Sequence, residues 1–231
     1  MDTAKDGRIL ILEDALRRLN EIVGNRKMKM HIDYGKLGDA LKTAGSLLYE
    51  VKYSYMDAPA LADQESTANL VATVKTFEET YRKALGSGYK PSTVKEHITH
   101  IEVEYALRIV RGFQDRLRKY PDDPGFSVDI LAVEVSSVRR VEGSSNLSEC
   151  RCTDGSRIWQ IITNISGVKV GSKMACAILP PVEMMNSVSE AMFLGSTPLA
   201  EDLPSGPLNS PPESALDQSR AQVLQITKRM V

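Results

Sequence analysis

Cysteine is scarce in this sequence: three residues of 231, Cys150, Cys152 and Cys176. Three unevenly spaced thiols cannot frame a disulfide-stapled fold, so stability must come from a packed core in a reducing compartment. Tryptophan is limited to Trp159. No stretch approaches the roughly 18–20 consecutive apolar residues of a membrane span. The first residues are charged and lack the apolar run of a secretory signal. A soluble, cytoplasmic protein with no membrane partner is expected. An excess of charge of one sign is also missing. Residues 1–125 hold 20 Lys and Arg against 19 Asp and Glu, residues 126–196 hold 6 against 7, and residues 197–231 hold 3 against 4. Such balance excludes tight non-specific binding to polyanions and requires any nucleic-acid site to arise from local clustering. The sequence lacks a glycine-rich phosphate loop, a Ser–His–Asp order and a paired-carboxylate pattern. His97 and His100 lie three apart beside Glu96 and Glu104, a spacing zinc can use, but no third and fourth ligand follows at recognisable spacing. A polar-packed pair is the plainer reading. No catalytic group, cofactor or metal is expected.

What is present falls into three segments. Residues 7–120 read as helices. Ile9, Leu12, Leu16, Leu19 and Val23 form an apolar stripe stopped at Gly24-Asn25. Leu37, Ala40, Leu41, Ala44, Leu47, Leu48 and Val51 form a second. Val71, Val74, Phe77, Tyr81 and Leu85 form a third, halted by Gly86-Ser87-Gly88. Pro91-Ser92 opens a fourth, carried by Val94, Ile98, Ile101, Tyr105, Ile109, Phe113 and Leu117. Pro121-Asp122-Asp123-Pro124-Gly125 ends it and marks a boundary. Four amphipathic helices on short connections suggest an up-down bundle, residues 1–125, with a docking or dimerisation role.

Beyond the boundary the period changes to two. Val128–Val135 alternates, with Ile130, Ala132 and Val135 apolar, as a half-buried strand should. A loop follows from Ser136 to Ser145. Asn146–Thr153 is a second strand, stopped by the hairpin signal Asp154-Gly155. Ile158–Thr163 is the third and Met174–Leu179 the fourth, ended by Pro180-Pro181. Cys150 and Cys152 flank Arg151 and share a face. Short strands with turns between them indicate a small closed barrel over residues 126–196. The tail, 197–231, begins with a stretch holding Pro198, Pro204, Pro207, Pro211 and Pro212, which reads as an extended linker. A helix then starts at Pro212-Glu213-Ser214, with Ala215, Val223, Leu224, Ile226 and Met230 on one face and Lys228-Arg229 in its last turn.

The barrel segment carries an ordered series of motifs: Thr163-Asn164 after the third strand, Val168-Lys169-Val170-Gly171-Ser172-Lys173 before the fourth, Leu179-Pro180-Pro181 after it, and Ser189-Glu190-Ala191-Met192-Phe193-Leu194-Gly195 at the end. This series, over residues 128–196, resembles the tRNA-binding OB-fold domain family. That family includes a free-standing dimeric tRNA-binding protein, the C-terminal domain of some methionyl-tRNA synthetases and a synthetase-associated cytokine precursor. Two positions depart from the family: the loop Glu142–Leu147 lacks the family's lysine, and Ala191 replaces a glycine. The expected fold class is α+β multidomain, an N-terminal helical bundle followed by an all-β OB-fold barrel with a C-terminal linker and helix.

The resemblance implies noncatalytic binding of structured RNA, with tRNA as partner, assembly as a homodimer and possible docking on an aminoacyl-tRNA synthetase. It implies RNA contacts at Ser189 and Met192, although Met192 and Leu194 would equally plug the barrel end. Arg139, Arg140, Arg157, Lys169 and Lys173, with Asn146 and Asn164, are candidate backbone contacts. Arg151 is the sixth cation of this segment. Trp159 sits either in the core or on a base-stacking face, its parity ambiguous beside Ile158, Ile161 and Ile162. The rival readings are a protein-binding, chaperone-like OB dimer, which the balanced charge and the missing lysine favour, and an appendage subunit that docks on an aminoacyl-tRNA synthetase through the helical bundle.

Overall fold

In the computed structural model, residues 1–86 and 88–228 are described, and they divide into two compact units. One comprises residues 1–127 together with the chain from Val223; the other runs from Val128 to Gln222. Ser87, Arg229 and Met230, which carry parts of the expected stop of the third stripe, basic last turn and apolar tail face, lie outside the described residues.

The first unit is helical: α1 Gly7–Gly24, α2 Tyr34–Lys52, α3 Ala58–Asp63, α4 Glu65–Leu85, α5 Val94–Arg111 and α6 Phe113–Lys119, followed by a 3-10 turn at Pro124–Phe126. Short polar side chains start the helices. Asp33, Asp57 and Thr93 accept the backbone N–H of Lys36, Ala60 and Glu96 at 3.0, 2.9 and 3.2 Å; each cap is worth about 1 kcal/mol. The apolar stripes meet in a core that includes Ile9, Leu12, Leu19, Leu41, Phe77, Tyr81 and Phe113, all fully buried. Ion pairs fix the direction of neighbours. Lys52, at the end of α2, meets Glu13 near the start of α1 at 2.7 Å, so these helices are antiparallel. Arg82, at the end of α4, meets Glu104 of α5 at 2.5 Å.

Among the described residues, six helices form in this unit where the stripes predicted four. α3 is a single capped turn without a periodicity of its own. The fourth stripe is two helices because Arg116 folds back over Gly112 and donates to the Ile109 carbonyl at 2.6 Å. A Cβ on Gly112 would lie 2.1 Å from the Arg116 Nη1.

The second unit is built on an antiparallel sheet in the order β3-β2-β1-β4-β5, from β1 Ile130–Arg140, β2 Ser148–Thr153, β3 Ile158–Thr163, β4 Lys173–Met184 and β5 Ser187–Phe193. The two ends of this order, β3 and β5, come together and close a barrel. Side chains make the joint. The buried Ser189 Oγ accepts the Ile162 N–H at 2.9 Å and donates to the Ala191 carbonyl at 2.9 Å. Glu190 accepts the Gln160 N–H at 3.2 Å and pairs with Arg157.

Three local readings change. β1 runs on to Arg140, past the expected loop start at Ser136. The register shifts between Val135 and Ser137, and the Ser136 Oγ donates to the Arg151 carbonyl at 2.9 Å. Pro180-Pro181 does not end β4, because the β4–β5 register shifts between Ile178 and Val182 and the prolines fall where no ladder N–H is required. The proline-rich stretch is not a free linker. Gly206–Pro207 forms β6 opposite Ala132 and Leu131, and the Leu208 N–H reaches the Ile130 carbonyl at 2.9 Å. A proline is tolerated there because the neighbouring residue supplies the donor. α7, Glu213–Thr227, follows.

Replacing Ser189 with Ala strands the Ile162 N–H in the interior. Urea unfolding is expected to show a loss of about 1–3 kcal/mol. A loss below about 0.5 kcal/mol would show that the seam does not depend on this hydroxyl.

Candidate nucleic-acid interface

The pleat decides which side chains the barrel presents. Directly opposed residues share a face, and neighbours along a strand alternate. Cys150 pairs with Val138 on one side and Ile161 on the other; Cys152 pairs with Val135 and Trp159. All except the half-buried Val138 are buried, so this is the inner face. The outer face of β1–β2–β3 therefore carries Ser137 opposite Arg151 opposite Gln160, and Arg139 opposite Glu149 opposite Ile162. Arg139 and Arg151 are exposed, two positions apart on one face, and neither has an ion-pair partner among the described residues. Glu149, which faces Arg139, is engaged by Gln160 Nε2 at 3.3 Å and Ser187 Oγ at 3.2 Å.

The β1–β2 loop, residues 141–147, borders this face. Arg140 donates to the Ser145 carbonyl at 2.7 Å, and Ser144 Oγ reaches Asn146 Oδ1 at 3.2 Å. The tip of the β4–β5 hairpin, Met185-Asn186, has φ of 51° and 63°, and Met185 is largely exposed. Its methyl group lies 3.4 Å from where a Cβ on Gly143 would sit, and Gly143 itself has φ of 75°. A side chain there would meet both a strained backbone and the hairpin tip. Asn164, exposed, follows Thr163, the residue opposite Ser148 and thus one pair removed from Arg140.

Arg139, Arg140, Asn146 and Asn164 are therefore gathered at one end of the β1–β2–β3 sheet, Arg139 on its outer face and Arg140 of the opposite parity. Arg151 joins them; among the cations, the register singles it out, and only a fixed register could have. Other candidates are placed elsewhere. Trp159 is 2% exposed, so the base-stacking reading is corrected: its ring lies inside and its Nε1 donates to Asp154 at 2.9 Å. Ser189 is corrected likewise, because its hydroxyl is spent on the seam. Met192 is half-buried on β5. Arg157 pairs with Glu190 and lies 3.8 Å from the Trp159 ring centre. Lys173 is not a free cation. Its ammonium donates to the carbonyls of Glu201, at 2.7 Å, and Leu203, and so anchors the proline-rich stretch. Lys169 is exposed in the β3–β4 loop. Ala191 is absent from the positive-φ residues, so it stands in for glycine without strain.

The remaining chemistry is structural. Burial pushes the Cys150 thiol up to about 11 and the Cys152 thiol up to about 12, which leaves both protonated and inert. His100 is buried with Nδ1 2.8 Å from the Tyr81 hydroxyl, whereas His97 is exposed. Among the described residues no group of three or more His, Cys, Asp or Glu is placed to hold a metal ion. No helix of the described residues is long and apolar enough to cross a membrane.

The turn from β2 to β3 hangs on Asp154. Its burial favours the neutral acid. Hydrogen bonds from the Arg157 N–H, the Trp159 indole and Ser156 outweigh that and lower the carboxyl to about 2 from its ordinary 3.8. A carboxylate whose folded pKa is depressed adds stability above its unfolded pKa and loses it as pH falls through the folded value. The turn is therefore expected to lose about 2 kcal/mol between pH 4 and pH 2. Urea midpoints across that range should show a decline that Asp154→Asn lacks, with the variant already weaker at neutral pH. Parallel declines in both proteins would refute the assignment.

Residues 1–119 match the family model described as Alpha helical domain. Among solved structures, the chain is similar to one titled crystal structure of MetRS related protein from Pyrococcus horikoshii, at 16% identity over 38% of this chain and 96% of that one, with a TM-score of 0.36. No curated protein matches. With a model that spans residues 1–119 of its 231, the chain belongs to the Alpha helical domain family.

Proposed function

We propose that the protein binds structured RNA, tRNA above all, without catalysis, through the outer face of β1–β2–β3 and the β1–β2 loop. The observation that carries the reading is the unpaired pair Arg139 and Arg151 on one strand face. Arg140, Asn146 and Asn164 lie at the same end. The strand order with β5 closing on β3 is that of an OB-fold barrel, whose exposed strand face and flanking loops suit a nucleic-acid backbone. The motif series from Thr163 to Gly195 resembles the tRNA-binding members of that fold. Two or three phosphate contacts give modest affinity and a shallow log–log salt slope of about 2. Such a site selects by shape, since A-form duplex RNA offers a readable backbone rather than readable bases.

Total tRNA in a mobility-shift salt series tests this. Arg139→Ala with Arg151→Ala is expected to weaken binding about tenfold or more near 100 mM salt and to flatten the log–log slope by about 1.5, because two phosphate partners are removed. Its thermal midpoint should barely move, because both side chains are exposed and unpaired. Lys173→Ala should do the opposite. No shift by the wild-type chain at about 50 mM salt would remove RNA as the ligand.

The same resemblance implies paired barrels. Light scattering is expected to return about twice the 25.5 kDa chain mass. A single-chain mass at high concentration would exclude the dimer.

A further inference from the structure

The helical segment 1–125 is close to neutral in total, with 20 Lys and Arg against 19 Asp and Glu, but not in detail. Its α1–α2 and α4–α5 connections lie at the same end of the bundle. α1 and α2 are antiparallel, as Lys52–Glu13 shows, and α4 and α5 likewise, as Arg82–Glu104 and the Tyr81–His100 contact show. Arg18, in the second half of α1, meets Glu102 of α5 at 2.6 Å. Tyr34 and Tyr89, one from the start of α2 and one from the α4–α5 connection, are close enough to interact. The Tyr89 hydroxyl is pushed up by burial, by Glu96 and by Tyr34.

That end concentrates positive charge. Arg26, Lys27, Lys29, Lys36, Lys83, Lys90 and Lys95 are all exposed, and none forms an ion pair among the described residues. Between residues 24 and 37, and between 83 and 97, only two carboxylates accompany them. Asp33 is occupied with the Lys36 N–H at 3.0 Å, and Glu96 with Ser92 N–H, Ser92 Oγ and Tyr89 Oη at 2.8, 3.0 and 3.0 Å. One turn further in, Arg17 pairs with Glu21, and Arg82 with Glu78 and Glu104, so charge there is neutralised. A chain of net charge −1 thus carries +5 on two connections and the helix ends that flank them.

Arg26 adds an independent observation. It ends α1 in the left-handed region, φ 47°, with its own N–H on the Val23 carbonyl and the Lys27 N–H on the Ile22 carbonyl. This is the position just past the C-cap, Asn25, where glycine is favoured, and a side chain there is a strain. Its guanidinium lies 5.7 Å from the Tyr34 ring centre. A long cation is held where local stability asks for none.

We infer that this end of the helical bundle is a second RNA contact, a patch that takes the phosphate backbone of tRNA. The inference rests on the proposed RNA binding. Charge complementarity selects the partner. None of the exposed large apolar side chains lies at this end, so an anchor for a lipid surface is missing, whereas cations interleaved with Tyr34, His31 and Tyr89 suit a nucleic-acid backbone.

The full-length chain with total tRNA in a salt series tests it. K27E/K29E/K90E is compared with K5E/K75E/K119E, which makes the same change of net charge at exposed lysines outside the patch. The patch variant is expected to lose about tenfold more affinity near 100 mM salt than its control and to flatten the slope by about 2. Arg26→Gly should weaken tRNA binding severalfold while its thermal midpoint holds or rises. Equal losses in patch and control variants would overturn the inference, and so would wild-type binding to phosphatidylserine vesicles that tRNA fails to displace. If Arg139→Ala/Arg151→Ala weakens binding and the patch variant matches its control, the barrel site stands and the patch falls. The reverse pattern retains the patch and removes the barrel face. A wild-type chain that shifts no tRNA overturns both.

Discussion

The joint between β3 and β5 governs the β unit, and it is made by two side chains rather than by a backbone ladder. A barrel of five short strands has little area to spare, and a buried N–H left without an acceptor costs about 1–3 kcal/mol. Ser189 and Glu190 take the Ile162 and Gln160 donors that the missing ladder would have satisfied. Arg157 then closes on Glu190 and on the Trp159 ring, and Trp159 in turn reaches Asp154, so the seam and the β2–β3 turn form one connected network. The sequence Ser189-Glu190-Ala191-Met192 is thus a closing device in this chain.

The seam fixes parity, and parity fixes what faces outward. With Gln160 and Ile162 offering their N–H groups to β5, the side chains of Trp159 and Ile161 turn inward against Cys152 and Cys150. The residues between them, Arg151 and Gln160, must then turn outward. A slip of one residue would bury Arg151 and expose Cys150 and Cys152, an exchange the fold would resist strongly. The outer cations are consequences of the same register that packs the thiols.

Much of this was legible in the sequence, and the parts that were not share a cause. The apolar stripes located α1, α2, α4 and α5 because period 3.6 survives in one dimension, and Asp154-Gly155 marked a turn because its backbone chemistry is local. Interactions between residues distant in sequence left no such trace. Gly112 looks like any glycine in a helix until Arg116 folds over it. Pro180-Pro181 reads as a terminator unless the register shift beside it is known. Lys173 reads as a free cation, although residues about 30 further along occupy its ammonium. Trp159 was ambiguous because Ile158 and Ile162 on one parity and Ile161 on the other are all apolar. Arg151 was undistinguished among six cations until strand pairing set it on the face with Arg139.

A near-neutral chain binds a polyanion under a different constraint from a basic one. General attraction is absent, so every contact must be placed, and a ligand whose phosphates do not match the placement gains almost nothing from the rest of the surface. Arg139 and Arg151 sit on a rigid sheet face, where their separation is set by the pleat. At the bundle end Lys27, Lys29 and Lys90 sit on connections, where long side chains would adjust to a phosphate. A rigid pair of guanidinium groups discriminates by geometry, while flexible ammonium groups add affinity with little selectivity. Under the proposed reading, few cations also keep the salt slope shallow, so binding near physiological ionic strength would depend on how many of the contacts a folded RNA satisfies at once. A single strand reaching only one group would satisfy too few to remain bound.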